Sequence, residues 1–427
     1  MLLISDQKDN YKNDDIILLQ QPEKFHIPLF GYNSNFDPIV KQNEYVSKYQ
    51  ILALSQHSYT GIIHSPVSGV IGSVIQIDNL PYLELFNDFR EHELPLKKND
   101  LKNLTLDLFV EKLFEYGIEG SGGARYPTYS KYRIGKKQIK TLIINGAECE
   151  PYLAADYAIM KQYSHQLGQA VALIQRVVDI ENVVLGLELK NKSIKPLIEK
   201  SFKSNGVKGC ICLLPNTYPQ GGELQLIKSV TGKVLSKGSI PSDHGIIVNN
   251  VGTLWAIYLG FFEGKPYTER VVTFYDENEQ KGFNYWVKIG TPVNHISPIY
   301  FSSQCASGST FILGGPMMGV QSKDTRQGIH KGVGGLLLLK DRKSKINNCI
   351  LCGYCADVCP QNLLPLEFAR YICDNSVVKL LSNNLMDCIE CGACAYACPA
   401  DVPLMYSIKE GKKLIFNERN VSTVYKA

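Results

Sequence analysis

The 427 residues are enough for about three domains of ordinary size, each with its own core. Their 45 basic and 41 acidic side chains nearly cancel, which excludes a nucleic-acid-binding stripe or an acidic tail and leaves no case for a nucleic-acid partner. Of the 13 cysteines, those near the carboxyl end fall in two tight runs, while Cys149, Cys210, Cys212, Cys305 and Cys373 form no framework, a usage that belongs in a reducing cytosol and not in a secreted disulfide scaffold.

In chain order, residues 1–20 are polar and charged and read as a loosely held, flexible tail. Their opening, MLLISDQKDNYKNDD, lacks a basic stretch ahead of an apolar one and so lacks the pattern of a signal peptide. From 21 to 95, short β-branched runs such as IVKQNEYVSKYQILALS and GIIHSPVSGVIGSVIQI, with Pro-Val-Ser-Gly turn chemistry between them, imply a small all-β unit. HSPVSGV, from His64 to Val70, resembles the returning half of a biotinyl- or lipoyl-type barrel-sandwich hybrid. A carrier of that type needs a lysine at the hairpin tip. Here the tip reads Gln56-His57-Ser58-Tyr59, so the unit is expected to be structural and not a swinging arm.

A charged stretch near 95 marks a boundary, and an α/β unit is expected from 96 to 236. LTLDLFVEKLFEYGIE has the i, i+3, i+4 spacing of a helix. It runs into GIEGSGGARYPTYSK, where Gly120, Gly122 and Gly123 offer backbone N–H groups to a phosphate and Lys131 offers a point charge; an ordinary glycine turn is the competing explanation. The apolar strand Thr141 to Ile144 then ends on Asn145, with Glu148 and Glu150 close behind. At the carboxyl end of a parallel strand these groups can bond a flavin edge and grip sugar hydroxyls or an amide, or they are solvated loop charges. ENVVLGLEL reads as a strand, SIKPLIEKSF as a helix, and Gly221-Gly222-Glu223 as another loop-to-helix start.

From 237 to 340 the texture turns to β in HGIIVNNVGTLWAIYLGFF, ERVVTFYDE, NYWVKIGTPV and FILGGPMMG, which implies a small β-grasp-like domain with Trp255 and Trp286 as core residues. The longest apolar stretch, Val251 to Phe262, is about twelve residues and too short to span a bilayer. After the basic KDRKSK, residues 341–427 carry the cysteine runs. CILCGYCADVCP places thiols at Cys349, Cys352, Cys355 and Cys359 before Pro360, and CIECGACAYACP repeats the spacing at Cys388, Cys391, Cys394 and Cys398 before Pro399. In the two-cluster ferredoxin arrangement, three closely spaced thiolates hold one cubane cluster and the fourth crosses to the other. That assigns Cys349, Cys352, Cys355 and Cys398 to one [4Fe-4S] cluster and Cys388, Cys391, Cys394 and Cys359 to a second. Zinc knuckles compete, but they usually bring paired Cys-x2-Cys units, often with His. LPLEFARYICDNSVVKLLSNN between the runs, and MYSIKEGKKLIF after them, are expected to be helical.

GSGGARYPTYSK followed by INGAECEP resembles the paired flavin and nicotinamide motifs of the complex I flavoprotein subunit, and more closely the C subunit of the Rnf complexes, the ion-translocating ferredoxin:NAD oxidoreductases of bacteria. YPQGGE, VNNVGT, EGKPYTERVVT, IGTPV, GGPMMG and the twin cysteine runs resemble that subunit in the same order, over about residues 25–410. The resemblance implies a multidomain α/β and α+β chain: a barrel-sandwich hybrid, a Rossmann-like FMN/NADH domain, a β-grasp domain of the SLBB kind and a dicluster ferredoxin-like helical module. By position it places Gly120, Gly122, Gly123 and Lys131 at the FMN phosphate, Asn145 at the flavin, and Glu148 and Glu150 at the flavin and nicotinamide end. Gly221, Gly222 and Glu223 form a second wall, and Tyr126 stacks on the nicotinamide or adenine. Arg125 stands where the complex I motif is small, so it either crowds the dinucleotide or meets its phosphates.

The function so implied is that of a peripheral subunit on the cytoplasmic face of the bacterial inner membrane. It works with integral-membrane and iron–sulfur subunits and passes electrons between NADH, FMN and two [4Fe-4S] clusters, with no side chain needed as acid or base. Two other readings use the same residues: a stand-alone soluble NADH-dependent flavo-iron–sulfur protein, and a non-enzymatic iron–sulfur electron wire whose dinucleotide site Arg125 has closed.

Overall fold

The computed structural model describes residues 2–55, 61–135, 137–296, 309–341 and 346–424, with side chains to 418. Gln56, His57, Ser58 and Tyr59 at the expected hairpin tip, Cys305, and most of KDRKSK lie outside the described residues.

The first β unit packs two small sheets face to face. One has the strand order 24–28, 80–87, 69–77, 45–46, and the other 36–38, 51–55, 62–64. Alternation along the strands turns Phe25, Ile27, Leu83 and Leu85 inward with Leu52 and Ile71.

The central unit is an all-parallel sheet of Thr141–Gly146, Asn182–Glu188, Gly209–Leu214 and Ile246–Asn250, in the order 209–214, 182–188, 141–146, 246–250. Helices cover both faces, so Ile143 packs into one core while Leu142 and Ile144 pack into another. Burial on both sides is why the strand reads as an unbroken apolar run.

Its fourth strand corrects the boundary drawn at 237. VNNVGTLWAIYLGFF, assigned to the β domain, is instead the edge strand Ile246–Asn250 followed by the helix Val251–Glu263. An apolar run of that length fits strand or helix by periodicity alone. The helix is decided at its ends: the Asn250 side chain accepts from the N–H of Gly252 at 2.9 Å, and Gly264, at φ 72°, closes the far end. Trp255 accordingly packs in the α/β core, beside Tyr258 and Trp286.

The next unit is a six-stranded mixed sheet in the order 17–18, 281–288, 269–276, 335–340, 309–313, 320–322. Its edge strand Ile17–Leu18 belongs to the segment expected to be a loose tail, and that expectation is overturned along the segment's length. Leu2 pairs with Tyr218, Asp6 pairs with Lys190 at 3.1 Å, and Lys8 is buried, donating to the carbonyls of Glu148 (2.7 Å) and Leu153 (2.6 Å). The polar residues read as loose because their partners are mostly backbone groups more than a hundred residues away.

Lys331 joins three units, reaching Gly117 O at 2.7 Å, Ile62 O at 3.3 Å and the Glu119 carboxylate at 3.4 Å. The cysteine module is a set of short helices around Phe368, Leu380, Leu385 and Leu404, closed by the helix Leu404–Val424. Among the described residues no helix is long and apolar enough to cross a membrane.

Candidate functional site

The parallel sheet reverses its build direction between 141–146 and 246–250. From the first strand the chain adds neighbours on one side, then returns on the other. A crevice opens at the carboxyl ends of two such strands, where ligands bind in sheets of this kind. Asn145 and Asn250 stand opposite each other at those ends. Asn145 donates to Gly221 O at 2.9 Å, which brings the expected second wall to the first. Asn250, which sequence reading passed over, donates to Asp156 at 2.5 Å. Glu148 accepts from the first N–H groups of the helix Ala155–Gln162, those of Asp156 (3.1 Å) and Tyr157 (3.3 Å). Burial and the nearby Glu148 charge push the Asp156 carboxyl up.

The glycine loop lies across this crevice. Ser121 is gripped on three sides: its N–H donates to the Thr253 hydroxyl (3.0 Å), its hydroxyl meets Tyr267 (2.8 Å), and its carbonyl accepts from Arg270 (3.3 Å). Gly122 and Gly123 are left exposed. A Cβ on Gly122 would approach Asn250 at 3.6 Å, and one on Gly123, at φ 103°, would meet nothing within 4 Å. An open backbone cradle held rigidly from behind suits a phosphate. Lys131 donates to Val248 O (2.9 Å), stands 3.6 Å from Glu223, and lies 6.0 Å from the Tyr126 ring, so the crevice also has its cation and its aromatic. Amide side chains, a glycine cradle, a lysine and acids within one crevice fit the donors and acceptors of FMN.

Arg125 is not in this set. Its Nε donates to the buried Glu119 carboxylate at 2.9 Å and its guanidinium lies 5.4 Å from the Phe30 ring, so it neither crowds the crevice nor faces it as a free cation. A buried cation is held by its counter-charge, and the carboxylate six residues earlier supplies it.

In the cysteine module, one hollow is lined by Cys349, Cys352, Cys355 and Cys398, and another by Cys359, Cys388, Cys391 and Cys394. The two halves repeat each other: Leu351 and Glu390 take φ of 59° and 54°, Gly353 and Gly392 80° and 74°, Asn362 and Asp401 53° and 50°. The N–H groups of Leu351 and Glu390 each point at the first thiol of their run at 3.4 Å. Among the described residues no three His, Cys, Asp or Glu side chains converge to hold a single metal ion. Thiols spread around a hollow suit a cubane, which takes one thiolate per iron, and not a zinc ion drawn to four sulfurs at about 2.3 Å. Burial and neighbouring thiols push Cys391 up to about 11, so it would serve as a thiolate ligand only where a bound iron took the place of its proton.

The halves differ in their surroundings. Cys349 and Cys352 are exposed, whereas Cys391 and Cys394 are buried, Cys391 beside Tyr218 of the α/β unit and Cys394 in the module's own core. Tyr218 donates to Cys391 O at 2.6 Å, and a Cβ on Gly392 would meet Met317 O at 2.5 Å. Glu150 belongs to this seam: its carboxylate accepts from the N–H groups of Met317 (3.0 Å) and Met318 (2.9 Å). Sequence reading missed Asn250, Asp156, Tyr218 and Lys8. The cap signal ahead of an apolar run marks Asn250, and nothing local marks Lys8.

Comparison with known proteins agrees with this layout. The family described as the RnfC barrel-sandwich hybrid domain matches residues 2–82, the Nuo51 FMN-binding domain matches 113–259, and a 4Fe-4S dicluster domain matches 348–402. The C subunit of the Na(+)-translocating ferredoxin:NAD(+) oxidoreductase complex of Acetobacterium woodii is 33% identical over 420 residues, covering 94% of this chain and 93% of that one. The C subunit of the ion-translocating oxidoreductase complex of Vibrio cholerae is 33% identical over 359 residues, 81% of this chain and 45% of that one. The chain thus spans about half the length of several curated relatives it matches. In fold it is similar to a chain of an NAD+-reducing [NiFe]-hydrogenase in the H2-reduced state, at 16% identity and a TM-score of 0.54, covering 73% of this chain and 63% of that chain. On the strength of the near-full-length Acetobacterium match and the three domain matches in order, the chain belongs to the C-subunit family of the ion-translocating oxidoreductase (Rnf) complexes.

Proposed function

We propose that this chain is the peripheral subunit through which an Rnf complex exchanges electrons with NADH, on the cytoplasmic face of the membrane and beside integral-membrane and iron–sulfur subunits. Bound FMN supplies the conversion between a hydride pair and the single electrons that [4Fe-4S] clusters carry. One observation carries the reading: the crevice at Asn145 and Asn250 and the hollow at Cys391 share a seam, through Tyr218 and Met317.

Gly122, Gly123 and Lys131 bind the phosphate in this reading, while Gly120, expected among them, closes the loop behind by donating its N–H to Tyr126 O at 2.9 Å, and Asn145 with the Gly221-Gly222-Glu223 wall orients the ring. Glu148, fastened at a helix start, holds negative charge at the flavin end, and Tyr126 offers a face to the nicotinamide or adenine. Glu150 holds the Met317–Met318 turn that presses on the second cysteine run. Cys359, Cys388, Cys391 and Cys394 hold the cluster next to the crevice; Cys349, Cys352, Cys355 and Cys398 hold the one nearer solvent, where another protein of the complex has access. The parallel strand order supports a Rossmann-like reading of the central unit, and the mixed sheet a β-grasp reading of the next.

The test is an anaerobic NADH titration of chain loaded with FMN and about eight irons. Bleaching of the flavin and then of the clusters is the expected result. Flavin that dithionite reduces but NADH leaves oxidised would overturn the reading in favour of an electron wire.

A further inference from the structure

Two loops reach from the crevice to the second cysteine run, and one segment at the amino end ties both. The first loop is 217–222. Its Gly221 carbonyl accepts from Asn145 in the crevice, while its Tyr218, 2% exposed, donates to the carbonyl of Cys391. The second is 148–153, whose Glu150 carboxylate holds the amides of Met317 and Met318 against Gly392. Leu2 pairs with Tyr218 in both directions, N–H to O at 2.9 and 2.7 Å. Lys8, 2% exposed, donates to the carbonyls of Glu148, Glu150 and Leu153 at 2.7, 3.3 and 2.6 Å. An ammonium spent on three carbonyls of one loop fixes that loop's path.

We propose, building on the function above, that Tyr218 is a positioning residue that sets the second cluster against the crevice, and that the strap of residues 2–8, through Leu2 and Lys8, braces it. Tyr218 keeps its own proton and electrons; each transfer takes one electron from the reduced flavin and gives one to the cluster at Cys359, Cys388, Cys391 and Cys394. The hydrogen bond to Cys391 O fixes the orientation of a ligand peptide, and the hydrogen bonding and dipoles around a cluster set both its potential and its place.

The test uses the full chain with FMN and both clusters, comparing Tyr218→Phe with the parent. The flavin is reduced by a flash with a deazaflavin donor, without NADH, and the electron's arrival at the clusters is timed; cluster spectra and potentials are read by EPR titration. Expected are unchanged iron and FMN content, a transfer at least tenfold slower, and a changed EPR spectrum for one cluster only. Lys8→Met is the second variant: transfer slows in the same way, and hydrogen–deuterium exchange rises in 148–157 and 217–222. If Tyr218→Phe loses iron, Lys8→Met decides by the same readouts. Transfer rates and EPR spectra within twofold of the parent, with iron intact, overturn the proposal. Should NADH fail to bleach the parent flavin while the flash still delivers electrons, the NADH reading falls and this proposal is judged on the flash data alone.

Discussion

Glu119 sits between two buried cations, accepting from Arg125 at 2.9 Å and from Lys331 at 3.4 Å. The two cations hold its carboxyl below the usual range in spite of full burial. Glu119→Gln leaves both cations without a counter-charge, and breaking a buried pair in this way costs about 3–5 kcal/mol. Thermal unfolding should show it as a drop of several degrees, while Lys413→Gln, in the exposed Lys413–Glu410 pair, leaves the midpoint where it was. Glu150 behaves in the opposite sense. Burial pushes it from 4.5 up to about 7, so between those values the folded chain binds the proton that the unfolded chain has released. Stability then falls as pH rises through that window, by about 3 kcal/mol in all, and levels off above it. Glu150→Gln should flatten the slope of melting temperature between pH 5.5 and about 7 relative to the parent; an unchanged slope would place the titration elsewhere. At this scale the thiols were legible because a cubane dictates their spacing locally. Arg125 was not, because its meaning depends on Glu119, Lys331 and Phe30, of which only the first is near it in sequence.

Strand Thr141–Gly146 and helix Leu106–Glu115 were readable because each is decided by its own pattern: an apolar run ending on Asn145, and a 3.6-residue stripe of Phe109, Val110 and Leu113 capped by Thr105. The helix Val251–Glu263 was not, since an all-apolar run carries no period, and the parallel sheet that needs its preceding strand is assembled from residues up to about a hundred positions away. The short helices after Gly353 and Gly392 offer a matched comparison. Both glycines stand at the left-handed N-terminal position of a four-residue helix, with φ of 80° and 74°. A Cβ at Gly353 meets nothing within 4 Å, whereas one at Gly392 meets backbone, Met317 O at 2.5 Å. Gly353→Ala should therefore cost only the backbone strain, about 1–2 kcal/mol. Gly392→Ala should cost clearly more, because the second run must also back away from the Met317 turn; equal melting temperatures for the two variants would contradict a seam closed at Met317.

Across the whole molecule, four units are fastened at a few long-range points: Lys331 among the two β units and the glycine loop, the amino-terminal strap across the central sheet, and Tyr218 to the cysteine module. Length and the changes of texture along the chain make it readable in advance that there are several units, but these fasteners are lone polar side chains with distant backbone partners, so nothing in their immediate sequence distinguishes them from surface residues. The exchange of the fourth thiol between the two cysteine runs has a consequence for how the module is made and lost. Cys398 faces the hollow of the first run and Cys359 that of the second, so each hollow draws on both ends of a stretch that runs from Cys349 to Cys398. Filled with iron, the two hollows act as interlocked clasps on a closed loop of chain. Loss of one cluster would then free a thiol at one end of the stretch and loosen the chain that carries the other's ligands, so damage to either hollow would be felt in both.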